Sequence, residues 1–190
     1  MSDRENSGNF DDKIFECATP EDFQALFGDQ LGALHTLALL LTADEAKAEA
    51  CFIAGLEESM NGNVVFRQWA RAWARRAIIR NAIRLIAPYP QPATSPAALS
   101  FLPEYGSSDQ QALIDAVTML PAFERFVFVI SVLEGHSLSD TATMLNCTNS
   151  QLAQARSRAL TQMATLLWHR TSQLPEGAIQ PHWYARLESA

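Results

Sequence analysis

A chain of 190 residues, 48% of them apolar and 18% charged, has the apolar content for one compact domain or two small ones, which excludes a chain that is disordered throughout. No apolar run reaches the roughly 18 to 20 residues of a membrane span, since the best, Leu31 to Leu41, is interrupted by His35 and Thr36. The net charge of −7 seems to argue against nucleic acid as a partner, but it sums a segregated distribution.

From the N-terminus, Met1 to Asp12 is polar and acidic and lacks the basic start and apolar stretch of a secretory signal, so the expected location is the cytoplasm. Residues 1–19 are expected to be an acidic, disordered leader. A helix is predicted from Pro20-Glu21-Asp22, where proline and acidic side chains suit a first turn. Phe23, Leu26, Phe27, Leu31, Leu34, Leu37, Ala38 and Leu41 follow at spacings of three and four, the signature of an apolar helix face. Asp44 caps the next helix, Asn61-Gly62-Asn63 forms a turn, and two or three helices are expected before Pro88. Residues 1 to 30 hold eight acidic and two basic side chains, and residues 31 to 63 hold five and one. Residues 64 to 86 then carry six arginines (Arg67, Arg71, Arg75, Arg76, Arg80, Arg84) and no acidic residue. A plain solvated face usually mixes signs, so arginine alone on a helix-length segment points to phosphate contact.

Pro88-Tyr-Pro-Gln-Pro, continuing to Pro96, Pro103 and Gly106, is incompatible with helix and predicts a semi-rigid linker over 88–108. It separates helical halves at 20–87 and 109–170. In the second, Phe126-Val-Phe-Val-Ile130 has strand-like composition but lies between Pro121 and Gly135 in a helical frame, which predicts a buried helix. Ser137-Leu-Ser-Asp140 and Thr148-Asn-Ser-Gln151 both have capping-box spacing, opening a short helix through Leu145 and a longer one to about His169. Two capped helices joined by so tight a turn form a helix-turn-helix pattern, with a structural hairpin as the plain alternative. On the longer helix Leu152, Ala155, Ala159, Met163 and Leu166 share one face. The other presents Ser150, Gln151, Gln154, Ser157, Arg158 and Thr161, types that read base edges or hold phosphates. Arg156 falls at the edge of the apolar face. Residues 171–190 form an extension whose His182-Trp183-Tyr184 is either a docking peptide or a tail that folds back. The expected fold is therefore all-α: two small helical domains, the second with the helix-turn-helix.

Chemistry is not indicated. Cys17, Cys51 and Cys147 are odd in number and widely spaced, and are expected to be reduced, mostly buried thiols. His35, His136, His169 and His182 show no metal-ligand spacing, no glycine-rich phosphate loop is present, and no Ser, His and acid set has a local motif. Neither an enzyme nor a cofactor is expected.

In order and spacing, Leu120-Pro121, Glu124-Arg125, Leu133-Glu-Gly135, Ser137, Ala142, Leu145 and Arg158-Ala159 resemble region 4 of the extracytoplasmic-function group of sigma-70-family sigma factors. Leu37-Ala38, Leu41-Thr42, Asp44, Glu49, Phe66-Arg67-Gln-Trp69 and Ala74-Arg75 resemble that family's region 2. The resemblance implies a promoter-recognising subunit that docks on core RNA polymerase through a surface including Asp44 and Glu49. It implies that Arg67, Arg71, Arg75, Arg76 and Arg80 meet the −10 element. Ser150, Gln151, Gln154, Arg156, Ser157 and Arg158 would meet the −35 element, and an anti-sigma factor is a further implied partner. Trp69 and Trp73 stand at positions that the family fills mainly with core residues. The chain departs from the pattern at Lys47, Ala50 and Ile53, where the family places acidic and glutamine side chains for the polymerase clamp. It departs again at Ala153 and Ala155, where bases are common, and at Arg80, where an acid is common. The first departure leaves open a second reading: a sigma-like regulator that has lost polymerase binding and acts through protein contacts, such as anti-sigma titration.

Overall fold

The computed structural model describes residues 16–62, 64–90 and 109–172, and the architecture over them is all-α. Most of the expected linker, the N-terminal leader up to residue 15 and the C-terminal extension beyond 172 lie outside the described residues. Eight α-helices run through the described chain, with one isolated antiparallel bridge between Cys17 and Phe66.

Helix α1 (Pro20–Asp29) starts on a reciprocal box: the Asp22 N–H donates to Thr19 Oγ1 at 3.2 Å and the Thr19 N–H to Asp22 Oδ2 at 2.8 Å. The apolar repeat from Phe23 to Leu41 then divides. It is shared between α1 and α2 (Leu31–Thr42), which meet at an 80° bend. Gly28 and Asp29 are weak helix formers, and the Gln30 N–H turns back to the Leu26 and Gly28 carbonyls. Four α-helices therefore precede Pro88, where two or three were expected. The bend also divides the burial: Phe23 packs with Val65 and Ala70, while Phe27, Leu34, Leu37 and Leu41 enter the main core.

Asp44 caps α3 (Glu45–Asn61), accepting the Lys47 N–H at 2.9 Å. Gly55 lets this helix approach α4 (Ala70–Ile86) closely, since a Cβ there would sit 2.6 Å from the end of the Ile78 side chain. A 3-10 turn, Arg67–Trp69, leads into α4, whose inner face is Ala70, Ala74, Ala77, Ile78, Ile79 and Ala82.

Helices α5 (Asp109–Thr118) and α6 (Ala122–Phe128) begin the second half. The β-branched and aromatic run is helical, as expected, with every residue from Phe123 to Ser131 buried, and it leaves α6 as a π-helical turn, Val129–Leu133. Gly135, at φ 70°, ends the segment in the left-handed conformation that suits glycine. Helices α7 (Leu138–Met144) and α8 (Asn149–Ser172) complete the described chain. One continuous core joins the two halves, because α2 packs on α3 and α4 on one side and on α5 and α6 on the other. The thiols depart from expectation in one case: Cys51 is buried and pushed up to about 11 by that burial, Cys147 is half-buried, but Cys17 is exposed.

Candidate nucleic-acid interface

Both predicted caps of the second half form. The Asp140 N–H donates to Ser137 Oγ at 3.0 Å, which starts α7. The Gln151 N–H donates to Thr148 Oγ1 at 3.2 Å while the Thr148 N–H donates to Gln151 Oε1 at 2.9 Å. Between them the chain turns at Asn146, which takes φ 48°, a conformation asparagine tolerates. Leu152, Ala155, Ala159, Met163 and Leu166 are all buried, as the periodicity predicts. Ser150, Gln151, Gln154 and Ser157 are exposed on the opposite side, and Arg156 and Arg158 are half-buried at its edges.

Two of these side chains already have partners. Gln151 spends its amide oxygen on the cap, leaving its NH2 to donate outward. Arg158 donates through Nε to Glu124 Oε1 at 2.9 Å. Arg156 has no acidic partner among the described residues. The outer face of α8 is therefore mostly neutral and rich in hydrogen-bonding groups, suited to reading edges rather than to holding charge.

The arginine-rich segment is arranged differently. Arg67 donates to Glu16 at 2.7 Å and to Asp22 at 2.9 Å, and the Thr19 backbone N–H first, then the Arg67 hydrogen bond and charge, hold the Asp22 carboxyl below its ordinary range. Arg75 forms a bidentate pair with Glu134, its Nε 2.6 Å from Oε2. Arg80 Nε and Arg84 Nη1 share Glu58 at 2.8 and 2.9 Å, with Asn81 donating to the same carboxylate at 2.8 Å. Burial pushes Glu58 up, but Arg80, Arg84 and Asn81 outweigh it and leave the carboxyl below its ordinary range. Only Arg71 and Arg76, of the six, are exposed with no acidic partner among the described residues. The acids that neutralise the rest come from α1 and the chain before it, from α3 and from the residue after the π turn, which no inspection of the segment alone reveals.

The two tryptophans also part ways. Trp73 packs inward with the Arg80 guanidinium 4.7 Å above its ring, while Trp69 is 57% exposed, set edge-on to Phe66, against the expectation that both pack. On α3, Asp44 and Glu49 are exposed, and so are Lys47, Ala50 and Ile53 beside them. That outer face therefore mixes acidic, basic and apolar groups, and Glu45 stands 3.5 Å from His35 at its start.

Sequence reasoning passed over Glu58, and it gave Arg125 and Glu134 only as parts of a motif, with no partner for either. Arg125 is buried, and its guanidinium donates to the carbonyls of Leu41, Thr42, Thr118 and Leu120 at 2.9 to 3.4 Å. These are the last carbonyls of α2, the last carbonyl of α5 and one just beyond it, so one cation serves helix ends from both halves. Its position four residues after Pro121 was visible, its partners were not. Among the described residues no group of three or more His, Cys, Asp or Glu is placed to hold a metal, and no single helix is long and apolar enough to cross a membrane.

No protein-family model matches the chain, and no curated protein matches it. Among solved structures, the sigma factor RpoE of Bartonella quintana, in co-crystal with the anti-sigma factor NepR, is similar to it at 24% identity over 77% of this chain and 97% of that one, with a TM-score of 0.45. A likeness at that level assigns no activity to the chain.

Proposed function

We propose that the chain is a promoter-recognising sigma factor that binds core RNA polymerase and directs initiation at −35 and −10 elements. In this reading residues 20–87 and 109–170 are its two working halves. The observation that carries it is the α7–turn–α8 unit: two side-chain caps fix both helix starts, five apolar positions hold α8 to the core, and Ser150, Gln151, Gln154 and Ser157 are left facing solvent. A helix-turn-helix works in this way, with the N-terminal part of the second helix in the major groove. Glutamine and serine there give discrimination, whereas phosphate grip comes from Arg71, Arg76 and Arg156. No bond is made or broken; binding energy alone positions the polymerase and opens the DNA.

Partner choice rests on α3, and its exposed Lys47, Ala50 and Ile53 favour a second reading in which that face meets a different protein and the chain acts as a sigma-like regulator. Co-elution of the full chain with active core polymerase on a sizing column, followed by transcription from a genomic fragment library, decides between them. The sigma reading expects a complex and discrete start sites. Absence of a complex with active core assigns the chain to the regulator class.

A further inference from the structure

Besides the shared apolar core, arginines from both halves make polar contacts across the join. Arg125 of α6 reaches the carbonyls of Leu41 and Thr42 at 3.1 and 3.4 Å. Arg75 of α4 grips Glu134, the residue that follows the π turn, with both carboxylate oxygens engaged. The Glu134 side chain is only 8% exposed and that of Arg75 is 28% exposed, so the pair sits largely out of water. Beside it lies a cavity of about 360 Å³, walled by Gly32, Leu37 and Leu40 of α2 and by Val129 and Leu133, with Arg75 and Glu134 on its lining.

A carboxylate so enclosed is costly to leave without its cation. Arg75 can therefore turn to another anion only by leaving that carboxylate without its cation, a cost that falls if α4 and the π turn part and more water reaches Glu134. The same arginine stands on the helix proposed above to meet DNA, between the unpaired Arg71 and Arg76. A phosphate and Glu134 compete for one guanidinium, whose fork fits either.

We propose that Arg75–Glu134 is a latch: it holds the two halves closed and withholds one cation from nucleic acid, so that full phosphate contact by α4 and the closed arrangement exclude each other. This rests on the DNA-binding reading for the identity of the competing anion, but not for the latch itself. The π turn suits the role, because Glu134 hangs from a short irregular segment and not from the middle of a regular helix.

The experiment uses the full chain and three forms: E134Q, R75Q and the charge-swapped R75E/E134R. Without DNA, E134Q and R75Q are expected to raise the radius of gyration by small-angle scattering and to speed amide exchange at residues 39–43 and 127–134, while far-UV circular dichroism stays helical. The swapped pair restores the closed form and guards against a mere folding defect in the single variants. With random-sequence duplex DNA, E134Q is expected to bind more tightly, with a log K against log salt slope steeper by about 0.9, one added phosphate contact. R75Q, though open, gains no slope. Unchanged scattering and exchange in both single variants overturn the latch. Opening without a steeper slope in E134Q overturns the competition with phosphate and removes Arg75 from the DNA face. Neither result bears on polymerase binding, which co-elution measures separately.

Discussion

Helices α4 and α8 carry the two surfaces proposed to meet DNA, and they relate sequence to available charge in opposite ways. On α4 and the 3-10 turn before it the sequence shows six arginines and no acid between residues 64 and 86, yet four of the six are engaged by Glu16, Asp22, Glu58 or Glu134. On α8 the outward face is nearly neutral, and most of what the sequence showed there is free, Gln151 and Arg158 excepted. A charge run states how many cations a segment owns, not how many it can offer. The acids that answer it lie far along the chain, whereas the neutral hydrogen-bonding face of α8 has no opposite sign to attract it.

The sharpest way to break this contrast is to remove an arginine that serves only the fold. Arg125→Met is expected to cost about 3 kcal/mol, because the buried carbonyls of Leu41, Thr42 and Leu120 and the half-buried one of Thr118 lose a donor. Urea unfolding followed by circular dichroism measures it. A loss near zero would mean that the helix ends are satisfied without the cation. Next comes Glu58→Gln, expected to cost about 1 to 2 kcal/mol at neutral pH, since Arg80 and Arg84 then share a neutral amide. The sign with pH follows from the lowered Glu58 carboxyl: its contribution is complete above the ordinary glutamate value of about 4.3 and fades as pH falls through the lower folded value. The gap in urea midpoint between the native chain and E58Q should therefore narrow between neutral pH and about pH 3. On α8, Thr148→Ala is expected to cost about 1 kcal/mol by undoing one cap. The same change keeps the residue-148 N–H on Gln151 Oε1 but leaves the Gln151 N–H without its acceptor and loosens the first turn, so discrimination among duplex sequences is expected to fall with it.

Those magnitudes bear on what could be read beforehand. The all-α class, the caps at Asp44, Ser137 and Thr148, and the buried face of α8 depend on contacts within a few residues, and each is written into local spacing. The 80° bend at Gln30 was also local, marked by Gly28-Asp29, but an unbroken apolar period concealed it. Arg125, Glu58 and Glu134 were not legible for a different reason. Their distant partners lie 83 or 84 residues away (Thr42 and Leu41), 22 and 26 residues away (Arg80 and Arg84) and 59 residues away (Arg75). No helical period carries information across such gaps, so a close packing of helices had to be known first. Trp69 shows the converse: the resemblance implied a core position, yet it stands outward at the end of the 3-10 entry into α4.

The smallest expected change in stability belongs to the two arginines the fold does not use, and there the contrast is most open to test. Arg71→Gln with Arg76→Gln should shift the urea midpoint by no more than about 0.5 kcal/mol, as surface changes without partners do. The salt slope of duplex binding should nevertheless fall by about 1.8, two contacts at about 0.9 each. The matching pair Arg80→Gln with Arg84→Gln should do the reverse, costing stability through Glu58 while leaving the slope nearly as it was. If both pairs flatten the slope equally, phosphate draws Arg80 and Arg84 off Glu58, and the fold's ion pairs are a reserve rather than a fixed expense. If neither does, α4 does not meet DNA, and the polar face of α8 must hold the nucleic acid with Arg156 and whatever a partner protein supplies.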